Sequence, residues 1–405
     1  MLYDYTAALS MLLKGDIALT IEQNKHSVWI AYSTIFRIPT QNYFISVGKI
    51  ANFFYLCSLI LYNQQPMLTT PRKICKLAIV VFVAIVAVAC QPTASSYTTI
   101  QGEALGTFVV VKCDAQEAQR EAIIELIAST DSIAKASMSI FNRESLLSRI
   151  NRNETDILDE HIAFNIALAE RFSRLSDGAY DITIKPLTEA WGFAGKGAEQ
   201  RVQNIDSLLE FVGYEKIAAE GLRLRKEDSR VQIDLNSIAK GYTVDLVAEG
   251  LEAMGVESYM VNIGGEIRCS GKNSRGQQWS IGIETPCEGN FASDAVERIV
   301  RLTECGVATS GNYRRFYTTE NGERVAHTLD PKSGRSVMSD LLSATVIAPT
   351  CAEADAAATM LMSLGSQRGA EAMAERLHNE AGWGYILIFA DGEGYRIAER
   401  EQRTL

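Results

Sequence analysis

The chain has 405 residues, which allows one large domain or two or three of ordinary size. With 47% hydrophobic and 22% charged residues it has the composition of a packed globular protein, which excludes a largely disordered, collagen-like or polytopic membrane chain. The net charge of −10 is uneven, because residues 1–89 carry +4 and residues 90–405 carry −14. So acidic a body repels phosphate backbones, which argues against nucleic-acid binding, and a polyphosphate ligand would need a cation or local basic groups.

A targeting signal is predicted around the apolar run 77–89, which follows Arg72, Lys73 and Lys76. The run is too short for a membrane span of about 20 residues. Basic residues, an apolar run of this length and small residues before Cys90 are typical of a signal peptide. Residues 87–90 (AVAC) resemble a bacterial lipobox, so Cys90 is expected to carry lipid. The protein would then be exported and anchored to a bacterial membrane, the inner one by expectation, facing the periplasm; the alternative is a buried apolar helix with an incidental cysteine.

Four segments follow from this prediction. Met67 stands where the signal peptide would begin, so residues 1–66 are interpreted as an upstream extension from a misassigned start. The alternative is a first membrane segment around residues 45–62, which Lys49 weakens. Residues 67–89 would be the signal peptide, 90–100 the lipidated cysteine with a polar tether, and 101–405 one domain. The eight cysteines contain no CxxC pair, so neither structural zinc nor a disulfide framework is expected, and individual cysteines are predicted to be small core residues.

The predicted secondary structure alternates irregularly along the domain. Helical spacing of apolar residues is found at 115–136, 161–175, 238–254 and 352–364. Strands are predicted at 108–113, 231–235, 259–263, 279–283 and 343–348, and a hairpin at 385–398 with its turn at 391–394. This mixture predicts an α+β fold with mixed or antiparallel sheets flanked by helices.

Two strand-to-turn junctions concentrate polar residues and glycines. In residues 234–241 (DLNSIAKG), Asp234 or Ser237 could be a helix cap. Alternatively, the helix N-terminus, Lys240 and close backbone approach at Gly241 could bind phosphate. In residues 261–266 (VNIGGE), the paired glycines favour a plain turn or close approach of a ligand to the backbone equally.

Three further positions are candidates for chemistry or ligand contact. Asp355 and Thr359 stand one helical turn apart after the strand at 343–348, and their oxygens suit Mg²⁺; the alternative is a solvated carboxylate and a hydroxyl bonded to the helix backbone. His327 lies in a turn-rich segment and is either a general base or a structural histidine. Residues 178–183 (GAYDIT) and 191–193 (WGF) could line a pocket for a flat ring or belong to the core.

Eight segments in this order resemble the bacterial ApbE family, the FAD:protein FMN transferases. They are residues 105–107, 138–151, 178–193, 234–245, 262–267, 308–316, 327–335 and 353–359, and together they cover about residues 100–370. The resemblance implies an α+β fold related to the T-fold. It also implies Mg²⁺-dependent cleavage of the pyrophosphate of FAD, with transfer of FMN to a Thr or Ser hydroxyl of a recipient protein and release of AMP. Recipients in this family are flavin subunits of membrane redox pumps, such as the Na⁺-translocating NADH:quinone reductase and Rnf complexes.

The same resemblance implies roles for individual residues. Asp355, which is also a catalytic candidate, and Thr359 match side-chain Mg²⁺ ligands, and Ser237 matches a position that ligates through its backbone carbonyl. His327 would orient or deprotonate the acceptor hydroxyl. Glu266 departs from the family, in which Asp is usual. Positions matching contacts to FAD are Leu105, Phe141, Trp191, Gly192, Phe193, Asp234, Lys240 and Leu329.

Two other functions remain open from the sequence. One is Mg²⁺-dependent hydrolysis of FAD to FMN and AMP, which the same site could perform with water. The other is a non-catalytic periplasmic flavin-binding lipoprotein, against which the pair Asp355 and Thr359 argues, because storage of FAD needs no metal. No GxGxxG motif follows a strand, which disfavours a nicotinamide-dependent oxidoreductase.

Overall fold

A computed structural model of the chain describes residues 97–193, 204–284, 296–312, 316–318, 324–337, 339–392 and 394–403. The predicted upstream extension, the signal peptide, Cys90 and most of the tether therefore lie outside the described residues. Within the residues described, no helix has both the length and the apolar content needed to cross a membrane.

An eight-stranded sheet forms the centre of the described domain. Its strands, in chain order, are β1 (Thr98–Ala104), β2 (Thr107–Cys113), β5 (Tyr259–Ile263), β6 (Glu266–Ser270), β9 (Cys305–Gly311), β12 (Leu341–Ala348), β13 (Gly384–Asp391) and β14 (Gly394–Arg400). They lie side by side in that same order, and every neighbouring pair is antiparallel. Three two-stranded sheets accompany it: β3 (Ile217–Glu220) with β4 (Arg223–Lys226), β7 (Trp279–Glu284) with β8 (Val296–Leu302), and β10 (Phe316–Thr318) with β11 (Arg324–Ala326).

Helices cover one face of the large sheet. The α-helices of the described residues are α1 (Arg120–Ser137), α2 (Leu146–Asn151), α3 (Glu160–Leu175), α4 (Lys185–Ala190), α5 (Ala239–Ala253), α6 (Cys351–Leu364) and α7 (Ala370–Ala381). Of these, α4 packs through Leu187 in a separate cluster with Val212 and Leu329. Helix α6 packs on β9 and β12, α5 packs on β5 and β6, and the two helices contact each other. This places the first turns of α5 and α6 side by side above the centre of the sheet.

The β7–β8 pair covers the opposite face. Strand β13 shows the division, because successive side chains of a strand point to opposite faces. Leu387 packs into the core shared with the helices, whereas Ile386 and Ile388 pack with Trp279 and Ile281 of β7. The sheet is therefore buried on both faces, which explains why the segment 385–389 is almost continuously apolar.

The predicted fold class, α+β with antiparallel sheets flanked by helices, is confirmed. The helices at 161–175, 238–254 and 352–364, the strands at 108–113, 259–263, 279–283 and 343–348, and the C-terminal hairpin are found within a few residues of their expected bounds. The helix expected at 115–136 begins later, at Arg120, after a short 3₁₀ turn at Glu117–Gln119. Four cysteines in the described residues are buried free thiols, as expected of core residues: Cys113, Cys269, Cys305 and Cys351.

Two predictions are wrong. Residues 231–235 do not form a strand, because the Asn151 side chain takes the backbone bonds that a neighbouring strand would take. Its Oδ1 accepts from the Ile233 N–H at 2.7 Å, and its Nδ2 donates to the Ile233 carbonyl at 2.8 Å. Only an isolated bridge between Gln232 and Ile184 remains. The predicted tether also extends too far, because β1 begins at Thr98, where pairing with β2 supplies the backbone partners of these small polar residues.

Candidate functional site

The first turns of α5 and α6 meet in direct backbone contact at Gly241. A Cβ atom there would lie 2.4 Å from the Cys351 carbonyl oxygen, so only glycine fits without displacement. The Gly241 N–H donates to Asp355 Oδ2 at 2.9 Å. Asp245, also on α5, accepts from the N–H groups of Cys351 and Ala352 at 2.9 and 2.8 Å and so binds the start of α6. These contacts fix the position of Asp355 relative to α5.

Asp355 is a buried carboxylate in an unfavourable electrostatic environment. Its side chain is only 5% exposed. Burial and the negative charge of Glu266 raise its pKa to about 8, although Lys240 and the Gly241 N–H act in the opposite direction. Thr359, one turn further along α6, has its Oγ1 3.1 Å from Ser310 Oγ on β9. The alternative in which Asp355 is a solvated surface carboxylate is therefore wrong.

Lys240 and Glu266 form an ion pair beside Asp355. Lys240 Nζ lies 2.6 Å from Glu266 Oε2. Burial alone would lower the pKa of Lys240, but the carboxylates of Glu266 and Asp355 outweigh it and raise that pKa. Glu266 follows a tight β5–β6 turn at Gly264 and Gly265, whose φ values of 63° and 110° favour glycine. The paired glycines thus form a turn, and that turn also lines the site.

Neither Asp234 nor Ser237 caps α5, so that alternative is wrong; the cap position is Ile238, with no side-chain hydrogen bond. Asp234 Oδ1 accepts instead from the Asn236 N–H at 2.9 Å, and burial raises the pKa of Asp234. Ser237 Oγ lies 2.8 Å from the hydroxyl of the buried Tyr180. Ser237 precedes the cap residue Ile238, so its carbonyl lies outside the helical hydrogen-bond pattern of α5, which begins with the Tyr242 N–H bonded to the Ile238 carbonyl.

A cavity of about 380 Å³ opens among these residues. Eight residues predicted from the sequence line it: Phe193, Asp234, Ser237, Lys240, His327, Leu329, Asp355 and Thr359. The ring of His327 lies 6.3 Å from that of Phe193, in an edge-to-face arrangement. The structure therefore brings the candidate metal ligands, the ammonium group and the candidate base to one place, while their individual roles remain predictions.

The other four predicted contacts do not line this cavity. Leu105 lies in the β1–β2 turn with φ 54°, and its N–H donates to Asp131 Oδ1 at 2.7 Å. Phe141 follows α1 and is 62% exposed. Trp191 ends α4 and donates through Nε1 to the Gly334 carbonyl at 2.7 Å, and Gly192 follows it with φ 76°.

Sequence reasoning gave no individual role to several residues of the cavity wall. Tyr180 and Asp181 belong to the segment 178–183, which was expected only as part of a loop that could line a flat-ring pocket, and they do line the cavity. Ser310 belongs to a segment that was matched only as a segment, and it stands near the end of β9. Asp181 is buried, and burial raises its pKa to about 6 although Thr183 donates to it through both N–H and hydroxyl. The only sequence pattern that could have predicted their place in the site is a polar residue beside the end of an apolar strand, but the same pattern is found at ordinary turns.

The oxygen groups at Asp355 fit a hard cation. In the residues described, no group of three or more His, Cys, Asp or Glu could hold a metal ion. Asp355, Thr359 and Ser237 all line the cavity. The Asp355 carboxylate and the Thr359 hydroxyl, with the Ser237 carbonyl that the sequence resemblance implies, are all hard oxygen donors. Mg²⁺ takes few protein ligands and completes its shell with water and substrate phosphates, so this donor set suits it.

Comparisons with known proteins agree with one another. The model of the ApbE family matches residues 105–382. The FAD:protein FMN transferase of Haemophilus influenzae is 37% identical over 314 residues, covering 74% of this chain and 90% of that protein. The FAD:protein FMN transferase of Salmonella typhimurium is 31% identical over 308 residues, covering 73% and 85%. The solved flavin transferase ApbE from Vibrio cholerae superposes with a TM-score of 0.66 at 30% identity, covering 76% of this chain and 98% of that one.

Proposed function

The chain belongs to the ApbE family, and from that membership we propose that it transfers FMN from FAD to a Thr or Ser hydroxyl of a recipient protein and releases AMP. The observation that supports this most directly is the grouping of Asp355, Thr359 and Ser237 with Lys240 in one cavity. A buried carboxylate beside hard oxygen donors suits a divalent cation, and an ammonium next to it suits phosphate.

In this proposal Mg²⁺ would be held by the Asp355 carboxylate, the Thr359 hydroxyl and the Ser237 carbonyl. When bound, Mg²⁺ would neutralise the diphosphate of FAD and the charge that develops on AMP. A cation and Lys240 together also explain how a body of net charge −14 binds a polyphosphate.

The chain's own residues would bind and orient the reactants. Lys240 would contact the phosphates, and Phe193 and Leu329 would contact a flat ring system. The acceptor oxygen forms a bond to the phosphorus of FMN while the bond from that phosphorus to the bridging oxygen breaks, and AMP leaves with that oxygen. His327 would take the hydroxyl proton on a ring nitrogen.

We also propose the cellular setting. The signal-peptide pattern before Cys90 supports export and lipid anchoring in a bacterial membrane, with the domain facing the periplasm. Flavin subunits of the Na⁺-translocating NADH:quinone reductase or of Rnf complexes would then be the recipients. The intact mass of the native protein tests the anchor: a mature product beginning at a lipidated Cys90 supports it, and a product that retains residues 1–66 contradicts it.

The transfer itself is tested with purified protein, FAD, Mg²⁺ and a redox-pump flavin subunit. The recipient should gain the mass of FMN less one water while AMP is released, and both should stop with EDTA or in Asp355→Ala. His327→Ala should stop transfer and spare FAD binding. AMP without a labelled recipient would indicate FAD hydrolysis instead, and bound FAD with neither product would indicate a carrier.

A further inference from the structure

Two buried carboxylates compete for one ammonium at the metal end of the cavity. Asp355 and Glu266 are 5% and 4% exposed. The ammonium of Lys240 pairs with Glu266 at 2.6 Å, and in the part of the chain that the structure describes it forms no ion pair with Asp355. Asp245, the next carboxylate, is engaged by backbone N–H groups of α6 and lies 3.6 Å from Arg268.

We propose that Glu266 is a positioning residue that holds the ammonium of Lys240 away from Asp355. The Asp355 carboxylate then keeps its oxygens for a divalent cation, and the ammonium faces the phosphates of FAD. This inference rests on the proposed function for the identity of the ligands, but the arrangement of the three charges stands on the structure.

The backbone of Lys240 has little freedom, so only movement of its side chain can change which carboxylate its ammonium pairs with. Gly241, the next residue, is wedged against Cys351 and hydrogen-bonded to Asp355. A lysine side chain on this fixed backbone still has four rotatable bonds, and it pairs with whichever carboxylate is held in place.

Glu266 is held in place by the β5–β6 turn. It pairs directly with Ile263 across the hairpin. The turn between them is constrained, because the Gly265 N–H donates to Asn262 Oδ1 at 3.0 Å and a Cβ on Gly264 would lie 2.6 Å from Thr107 Cγ2. The carboxylate of Glu266 is therefore presented from a rigid position, whereas the side chain of Lys240 remains 34% exposed to the cavity.

Loss of Glu266 would release Lys240 towards Asp355. A buried carboxylate without a charged partner is costly, so the released ammonium would pair with Asp355. Such a pair would occupy the carboxylate that the cation needs. The expected effect of Glu266→Gln is thus weaker cation binding that depends on the presence of Lys240.

A double-mutant cycle separates this effect from simple loss of a negative charge. Mn²⁺ binding is measured by titration calorimetry, without FAD, in the wild type, Glu266→Gln, Lys240→Met and the double variant. Loss of charge alone would weaken binding by the same factor in both backgrounds. We expect Glu266→Gln to weaken Mn²⁺ binding about tenfold with Lys240 present and less than about twofold with Met at position 240.

Equal factors in the two backgrounds would overturn the positioning role. If Glu266→Gln does not fold, Glu266→Asp provides a second test, because it keeps the charge within reach of a flexible lysine. It should bind Mn²⁺ within about twofold of the wild type, and a tenfold loss would contradict the proposal. Failure of FMN transfer with an intact cycle would overturn the proposed function alone, whereas equal Mn²⁺ binding by wild type and Asp355→Ala would overturn both.

Discussion

A single methyl group added at Gly241 tests whether the contact between α5 and α6 builds the site. In Gly241→Ala the new Cβ would lie 2.4 Å from the Cys351 carbonyl oxygen and 2.8 Å from Asp355 Cβ. An ordinary contact begins at 3.4 Å, so the helices must separate by about 1 Å. The carbonyl belongs to the first turn of α6 and cannot rotate away.

The expected magnitude follows from two opposing effects. Overpacking of this kind costs about 1–3 kcal/mol, and replacing glycine by alanine within a helix gains about 1 kcal/mol. Because the obstructing atom is a fixed backbone carbonyl, the overpacking cost should lie near its upper end of about 3 kcal/mol. We therefore expect Gly241→Ala to lower the free energy of unfolding by about 2 kcal/mol in urea titrations analysed by linear extrapolation. Mn²⁺ binding should weaken as well, because the Gly241 N–H bond to Asp355 lengthens.

The matched control lies on the same helix. A Cβ on Gly250 would lie 2.5 Å from Leu126 Cδ1, but that atom is the end of a flexible, partly buried side chain that can rotate. Because that side chain can yield, Gly250→Ala should keep part or all of the gain of about 1 kcal/mol that alanine brings to a helix. It should therefore not lower the free energy of unfolding, and it should leave Mn²⁺ binding unchanged. Wild-type stability in Gly241→Ala, or an equal loss in both variants, would refute the reasoning.

Three other predictions concern stability alone. Burial raises the pKa of Asp245 to about 6, so the stability that this residue contributes is complete below its ordinary pKa of 3.8 and is lost as the pH rises through 6. In Asp245→Asn the free energy of unfolding measured in urea should therefore depend less on pH between 3.8 and 6. A pH profile identical to that of the wild type would contradict this. Asp159→Ala removes the cap that accepts from the Ile162 N–H at 2.9 Å, and should cost about 1 kcal/mol in urea without changing Mn²⁺ binding. Trp191→Phe removes the 2.7 Å bond to the Gly334 carbonyl and should also cost about 1 kcal/mol by the same assay; no loss would show that water replaces the bond.

The elements that the sequence predicted are those with a strong periodic signal. Helix α6 was expected at 352–364 and spans Cys351–Leu364, since its apolar residues repeat at helical spacing and Thr350 Oγ1 accepts from the Glu353 N–H at its start. Strand β7 alternates buried and exposed side chains along its length, and β5 alternates buried and half-buried ones. In such segments one local pattern determines both the element and its buried face.

The predictions were wrong or missing where residues far away in the sequence determine the local structure. The alternation in residues 231–235 is that of a strand, but Asn151, 82 residues away, bonds to Ile233 and replaces the neighbouring strand. Strand β9 was not predicted, because its sequence CGVATSG consists mainly of small residues and lacks strand-forming side chains. Its glycine at Gly306 is required by a non-local contact, since a Cβ there would lie 2.2 Å from the Cys351 nitrogen.

The same division holds for the site. Asp355 and Thr359 were found because both lie on one helix at a spacing of four. The bonds that give Asp355 its environment join residues far apart in sequence: Gly241 N–H to Asp355 spans 114 residues, and Tyr180 to Ser237 spans 57. No local sequence pattern predicts such pairs. The sequence therefore indicated the candidate metal ligands, but not the neighbours that raise the pKa of Asp355.

Because the residues that line the cavity are far apart in sequence, the cavity can form only late in the synthesis of the chain. The cavity draws on segments from Ala179 to Ser363, so its last wall is supplied only when α6 has emerged. A chain synthesised from its N-terminus would present β1, β2 and α1 long before it could hold a cation or a flavin. A ligand stabilises only a state that binds it, so FAD or a cation would stabilise only chains that have been completed through α6. Truncated chains that end before α6 lack one wall of the cavity, so ligand binding would stabilise complete chains and not these truncated ones.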